Sequence, residues 1–160
     1  MGRIDTLMLR VGKLNYAWTN TESLLIYLMA HLMGTSKETA IVTFLTLNTT
    51  RARLDFIERL AKMKSTSPES RKAVLDIAGR LKAEGKLRNK YNHCIYSFNE
   101  RGELESTQLM RIAEFGNDLK YGKVEQLDAD EIGRIDKGIR AIGEVNRTIW
   151  EFIRTNEIET

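Results

Sequence analysis

Residues 67–98, SPESRKAVLDIAGRLKAEGKLRNKYNHCIYSF, decide how the rest of the chain is read. Ser67 is placed to cap a helix, Pro68 fits its first turn, and Glu69 suits its positive end. Val74, Ile77, Ala78 and Leu81 then recur at three- and four-residue spacing, the apolar stripe of an amphipathic helix. This helix is predicted to run to around Tyr91 or His93. Beyond it, Ile95-Tyr96-Ser97-Phe98 reads as β-like. The junction between the two patterns holds Arg88-Asn89-Lys90-Tyr91-Asn92-His93.

Working outward, residues 4–33 read as one long helix carrying Ile4, Met8, Val11, Leu14, Trp18, Leu25, Met29 and Leu32. Gly34 is placed to stop it, and Ser36 or Thr35 to cap the next, with Ile41, Val42, Phe44, Leu45 and Leu47. Asn48-Thr49-Thr50 interrupts that pattern before a segment with Leu54, Ile57, Leu60 and Met63 on one face. After the long central helix, short strands are predicted at 94–99 and 104–112. Arg101-Gly102 is a turn and Phe115-Gly116-Asn117-Asp118 a loop. Asp128 caps a last helix with the stripe Ile132, Ile135, Ile139, Ile142, Val145, Ile149 and Phe152. Gly133, Gly138 and Gly143 lower its propensity, and close helix packing is the expected reason. The expected fold is therefore all-α: a single domain over 1–160, an antiparallel four- to five-helix bundle with a short β-like insertion before the last helix.

At 160 residues the chain is long enough to bury a core. With 42% hydrophobic and 29% charged residues it reads as globular rather than disordered. The single cysteine, Cys94, excludes an intramolecular disulfide framework and suits a reducing compartment, and the expected location is cytoplasmic. The start, Met1-Gly2-Arg3-Ile4-Asp5, has no basic region followed by an apolar run, so no secretory leader is expected. No apolar run is long enough to span a bilayer, and no membrane partner is expected. The 25 Lys and Arg against 22 Asp and Glu give a net charge of +3, which permits a nucleic-acid partner without requiring one. Neither the Cys/His spacing of a zinc site nor the glycine-containing ligand spacing of a calcium loop is present, so neither metal nor cofactor is expected.

Candidates for proton transfer near neutral pH are few, because the chain has only two histidines. His31 lies in an apolar run and reads as a core or interface residue. His93 comes with Arg88 and Asn89, a proton-transfer group beside a fixed cation and an amide. That is the combination a phosphodiester-cleaving site needs. Arg88 continues the stripe of Val74, Ile77 and Leu81, so it points toward packed surface and needs a partner or a ligand. Arg88 and His93 are about 140° apart on an ideal helix, and converge only if the helix ends or distorts here. Glu22 interrupts the stripe of the first helix between Trp18 and Leu25, and is expected to be the counter-ion of Arg88. The alternative reading is a buried structural pair of Arg88 and Glu22, with His93 merely capping the helix.

Arg88-Asn89-Lys90-Tyr91-Asn92-His93, after a helical sequence, resembles the signature of the HEPN family: an arginine, often followed by asparagine, and a histidine four to six residues further on. Gly12-Lys13-Leu14 through Trp18, with Glu22-Ser23-Leu24-Leu25, is similar to the opening helix of several HEPN-like bacterial proteins. Many such sequences continue with glycine after the histidine, where this one has Cys94. Some have a tyrosine two positions after it, where this one has Tyr96 at three. The resemblance implies an all-α homodimer with motif residues of both protomers facing one cleft. It implies a metal-independent endoribonuclease, a toxin or phage-defence effector with RNA as substrate and an antitoxin as a further partner. The alternative it implies is a non-catalytic dimer that binds nucleotide, RNA or a protein. In the enzyme reading Arg88 and His93 are catalytic and Asn89 and Glu22 support them. Lys90, Tyr91, Asn92 and Tyr96 are candidate substrate contacts.

Overall fold

A computed structural model describes residues 3–160; Met1 and Gly2, on which part of the reading of the chain's start falls, lie outside the described residues. Six helices and five strands follow one another: α1 (Arg3–Glu22), α2 (Leu25–Met33), α3 (Lys37–Thr46), α4 (Thr50–Ala61), α5 (Pro68–Asn92), β1 (Cys94–Phe98), β2 (Leu104–Leu109), β3 (Ile112–Phe115), β4 (Asp118–Tyr121), β5 (Val124–Gln126) and α6 (Ala129–Thr155). The chain is mostly helical, but the all-α expectation is corrected: two small antiparallel sheets precede the last helix, in the strand orders β1-β2-β5 and β3-β4.

The predicted caps are made. Ser36 Oγ accepts from the Thr39 N–H at 3.2 Å, Ser67 Oγ from Ser70 at 3.1 Å, and Asp128 Oδ1 from Glu131 at 2.8 Å. Each satisfies a helix N–H that would otherwise lack an acceptor, for about 1 kcal/mol. Thr49 adds another by accepting from Ala52, which turns the expected interruption at Asn48-Thr49-Thr50 into a helix start. Gly34 ends α2 at φ 60°, while the Thr35 N–H reaches back to the Ala30 carbonyl. The single helix expected over 4–33 is instead two. At Thr21–Tyr27 the bonds tighten to i→i+3, Leu24 to Thr21, Ile26 to Ser23 and Tyr27 to Leu24. In α1 Leu14 and Trp18 of the expected stripe are buried, but Leu7 joins them in place of Ile4 and Met8, which are exposed.

The described residues form two compact units, one of residues 3–16 and 85–139, the other of 17–84 and 140–160. In the first, Leu7, Leu14, Tyr91, Leu104, Leu127 and Ile135 are buried. In the second, Trp18, Leu28, Ile57, Ile77, Leu81 and Ile149 are buried. Each such side chain contributes about 1.5–3 kcal/mol by leaving water. Gly133 and Gly143 face open space, so close packing does not account for them.

The sheets lie in the first unit. β1 and β2 pair in the register Cys94↔Leu109 to Ser97↔Ser106, with a shift before Phe98↔Leu104. Asn99 closes their turn, its Oδ1 accepting from Arg101 and Glu103 while Gly102 takes φ 73°. The strand expected over 104–112 breaks at Met110. The Arg111 N–H folds back on the Leu109 carbonyl at 2.8 Å, a three-residue turn that takes the chain out of one sheet and into the other. Gly116, at φ 60°, opens the two-residue turn between β3 and β4. The hairpin returns at Gly122, whose N–H donates to Arg111 and whose carbonyl accepts from Gln108. A Cβ on Gly122 would overlap the Leu109 carbonyl. Gly122→Ala is therefore expected to shift the hairpin base and cost about 1–3 kcal/mol, readable as a lowered thermal midpoint.

Candidate functional site

The end of α5 carries the site. Lys86, Asn89, Lys90 and His93 are spaced by three, four and seven residues, so they share one face of that helix. This face lines a cleft of about 650 Å³, completed by Leu109, Met110 and Arg111 at the β2–β3 junction and by Glu125 on β5. The His93 N–H closes the last helical turn on Asn89 and Lys90, and the His93 carbonyl accepts from Met110 at 3.1 Å. The helix stop and the sheet entry are thus pinned to each other at the histidine. Its ring is exposed to the cleft.

Behind the cleft lies an ionic network. Glu131, buried at the start of α6, accepts from Lys90 and from the Tyr91 hydroxyl, and from Arg134 Nη1 at 3.0 Å. Lys90 also pairs with Glu125, which receives Lys123 at 3.0 Å. Burial opposes the charge of Lys90, but its bonds to Glu125 and Glu131 prevail and raise its pKa. Hydrogen bonds from Lys90 and Lys123 hold Glu125 below the usual carboxylate range. Burial, and then Glu131, pushes the Tyr91 hydroxyl well above the usual phenol range, so it remains a donor.

A pH dependence follows. The lowered carboxylate of Glu125 contributes stability above its unfolded pKa, lost as pH falls through the folded value. The raised Lys90 contributes below its unfolded pKa, lost as pH rises through the folded one. Stability from this pair is therefore flat through neutrality and drops on the acid side within and below the carboxylate range. Urea midpoints measured across that range should fall less steeply for Glu125→Gln than for wild type.

The sequence candidates divide. Asn89, Lys90 and His93 line the cleft; Arg88 does not. Arg88 is half-buried, its Nη1 donates to Asn89 Oδ1 at 3.1 Å, and its buried Nε–H has no acceptor among the described residues. Tyr91, expected as a substrate contact, is buried against Glu131. Tyr96 donates to the Tyr91 carbonyl at 2.9 Å, and neither Tyr96 nor the exposed Asn92 lines the cleft.

Glu22 is not the counter-ion of Arg88. Its carboxylate accepts from Trp18 Nε1 at 3.2 Å, Thr50 Oγ1 at 2.7 Å and Arg53 Nη1 at 3.2 Å, all in the second unit. Arg53 in turn donates its Nε–H to the Phe44 and Leu47 carbonyls and stacks 3.9 Å from the Phe44 ring centre. Glu22 thereby fixes the arginine that ties the end of α3 to α4. His31 is exposed, with its ring edge 5.7 Å from Phe152.

Lys86, Arg111, Glu125 and Glu131 were missed as site residues. Counting back seven from His93 along α5 would have found Lys86. Nothing in the sequence brings the other three to the helix end.

Among the described residues no three His, Cys, Asp or Glu side chains cluster as metal ligands, and no helix is long and apolar enough to cross a membrane. No protein-family model matches this chain, and no curated protein or solved structure is significantly similar to it.

Proposed function

We propose that this chain is a metal-independent endoribonuclease of the HEPN type that works as a homodimer, in the setting of a toxin or phage-defence effector. The observation that carries this reading is a histidine presented on a cleft beside an amide and several cations. In such a site the base removes the proton of an RNA 2′-hydroxyl. The 2′-oxygen attacks the adjacent phosphorus and the bond from phosphorus to the 5′-oxygen breaks. A second proton-transfer group protonates that leaving oxygen. His93 supplies one of the two groups, and His93 of a second copy supplies the other. Asn89 lies four residues before His93, and with its Oδ1 held by Arg88 its amide N–H groups are left for a phosphate oxygen. Arg88 acts here through Asn89 and through its charge.

The products are a 2′,3′-cyclic phosphate and a free 5′-hydroxyl. The test is incubation of the purified protein with total RNA in EDTA, followed by analysis of fragment ends. Cyclic or 3′-phosphate ends from wild type support the reading. Cleavage that requires added metal, or none by a folded dimer, overturns it. The position of Arg88 outside the cleft wall favours the second reading, a non-catalytic dimer that binds nucleotide, RNA or a protein through the same cleft.

A further inference from the structure

We propose that Lys86 and Arg111 form the phosphate-binding pair of this cleft, the role that motif spacing assigns to Arg88. The inference deepens the nuclease reading, because it names which groups hold the scissile phosphodiester. Three cations line the cleft, but they differ in what they have left to give. Lys90 is committed to Glu125 and Glu131, so two carboxylates answer one ammonium. Lys86 and Arg111 are exposed, and neither side chain has a hydrogen bond or ion pair among the described residues. The one carboxylate on the wall, Glu125, is itself held by Lys90 and Lys123.

The positions suit an anion between them. Lys86 stands two turns before His93 on the same face of α5. Arg111 enters from the β2–β3 turn, which the bond from the Met110 N–H to the His93 carbonyl fixes against the helix end. A phosphodiester between a guanidinium and an ammonium gains paired hydrogen bonds from the first and a point charge from the second. His93 then borders the same space from the helix side, where proton transfer to or from a ribose or leaving oxygen is needed.

The two histidines make the test direct. Inorganic phosphate is titrated into the 160-residue chain while the ring C–H signals of His93 and His31 are followed by NMR. Phosphate is expected to move His93 saturably and leave His31, which lines no part of this cleft, unmoved. Lys86→Ala and Arg111→Ala should each weaken binding about tenfold, and the double variant should abolish the response. Arg111→Lys should recover part of it. Both residues are exposed, so thermal midpoints should match wild type. An unresponsive His93 in wild type, or undiminished binding by the double variant, overturns the proposal. RNA cleavage by the same proteins separates the two readings. Phosphate binding that needs Lys86 and Arg111, in a protein that cuts no RNA, would leave the anion site standing and remove the nuclease. Cleavage with an unchanged KM in the double variant would do the reverse.

Discussion

His93→Ala is expected to lower RNA cleavage by about 100- to 10,000-fold, the range a single acid–base group supplies. The substitution touches little else. The ring is exposed, and the backbone bonds to Asn89, Lys90 and Met110 that anchor this residue do not involve the side chain. Thermal midpoint and oligomeric state should therefore match wild type, and a loss of activity reads as a loss of chemistry. Comparison of Arg88→Ala with Asn89→Ala then locates the role of the arginine. If Arg88 acts through Asn89, the two variants lose similar amounts of kcat. A much larger loss in Arg88→Ala means that the guanidinium touches the substrate itself. Full activity in His93→Ala removes the histidine from the mechanism, and the nuclease reading with it.

The helical part of the fold was legible because its signals are local. Ser36, Ser67 and Asp128 cap where the sequence places them, since a cap needs only a side-chain oxygen and an N–H three residues on. The start of α1 was not legible in the same way. Leu14 and Trp18 were legible as buried, but Ile4-Met8 and Leu7 both extend them at helical spacing, and only the neighbours choose between the two. The sheets were half legible. Their strand propensity was visible, but the break at Met110 depends on a bond to His93, seventeen residues back.

The site divides along the same line. Six residues of sequence mark Arg88 and His93, yet side-chain direction on a helix separates them, and the face through His93 passes through Asn89, Lys90 and Lys86 instead. Glu125 joins that face through sheet pairing, and Arg111 through the turn that Met110 pins to His93. Glu22 was correctly read as a core carboxylate in need of a cation. Which cation is a tertiary matter, and Arg53 is the one that α4 delivers.

Glu131→Ala should have the largest effect on stability. Its side chain is only 4% exposed and accepts from Lys90, Tyr91 and Arg134 together. Removing it leaves a buried phenol without its acceptor and a largely buried ammonium with Glu125 alone, and breaking a buried pair of this kind costs about 3–5 kcal/mol. Against the 5–15 kcal/mol that typically holds a domain together, that is a large fraction. Glu131→Gln keeps an acceptor for Tyr91 but no charge for Lys90, and should cost roughly 1–3 kcal/mol. Tyr91→Phe removes a single donor and should cost less again. Urea denaturation of the three variants checks the order. Equal midpoints for Glu131→Ala and wild type would mean that water replaces the carboxylate at no cost, and that the network does not hold the helix end. The consequence for the cleft is specific. Lys90 freed from Glu131 keeps Glu125 as its partner, so the charge on the wall changes little while the anchoring of α5 to the start of α6 is lost. Cleavage by Glu131→Gln should therefore fall more steeply with temperature than that of wild type.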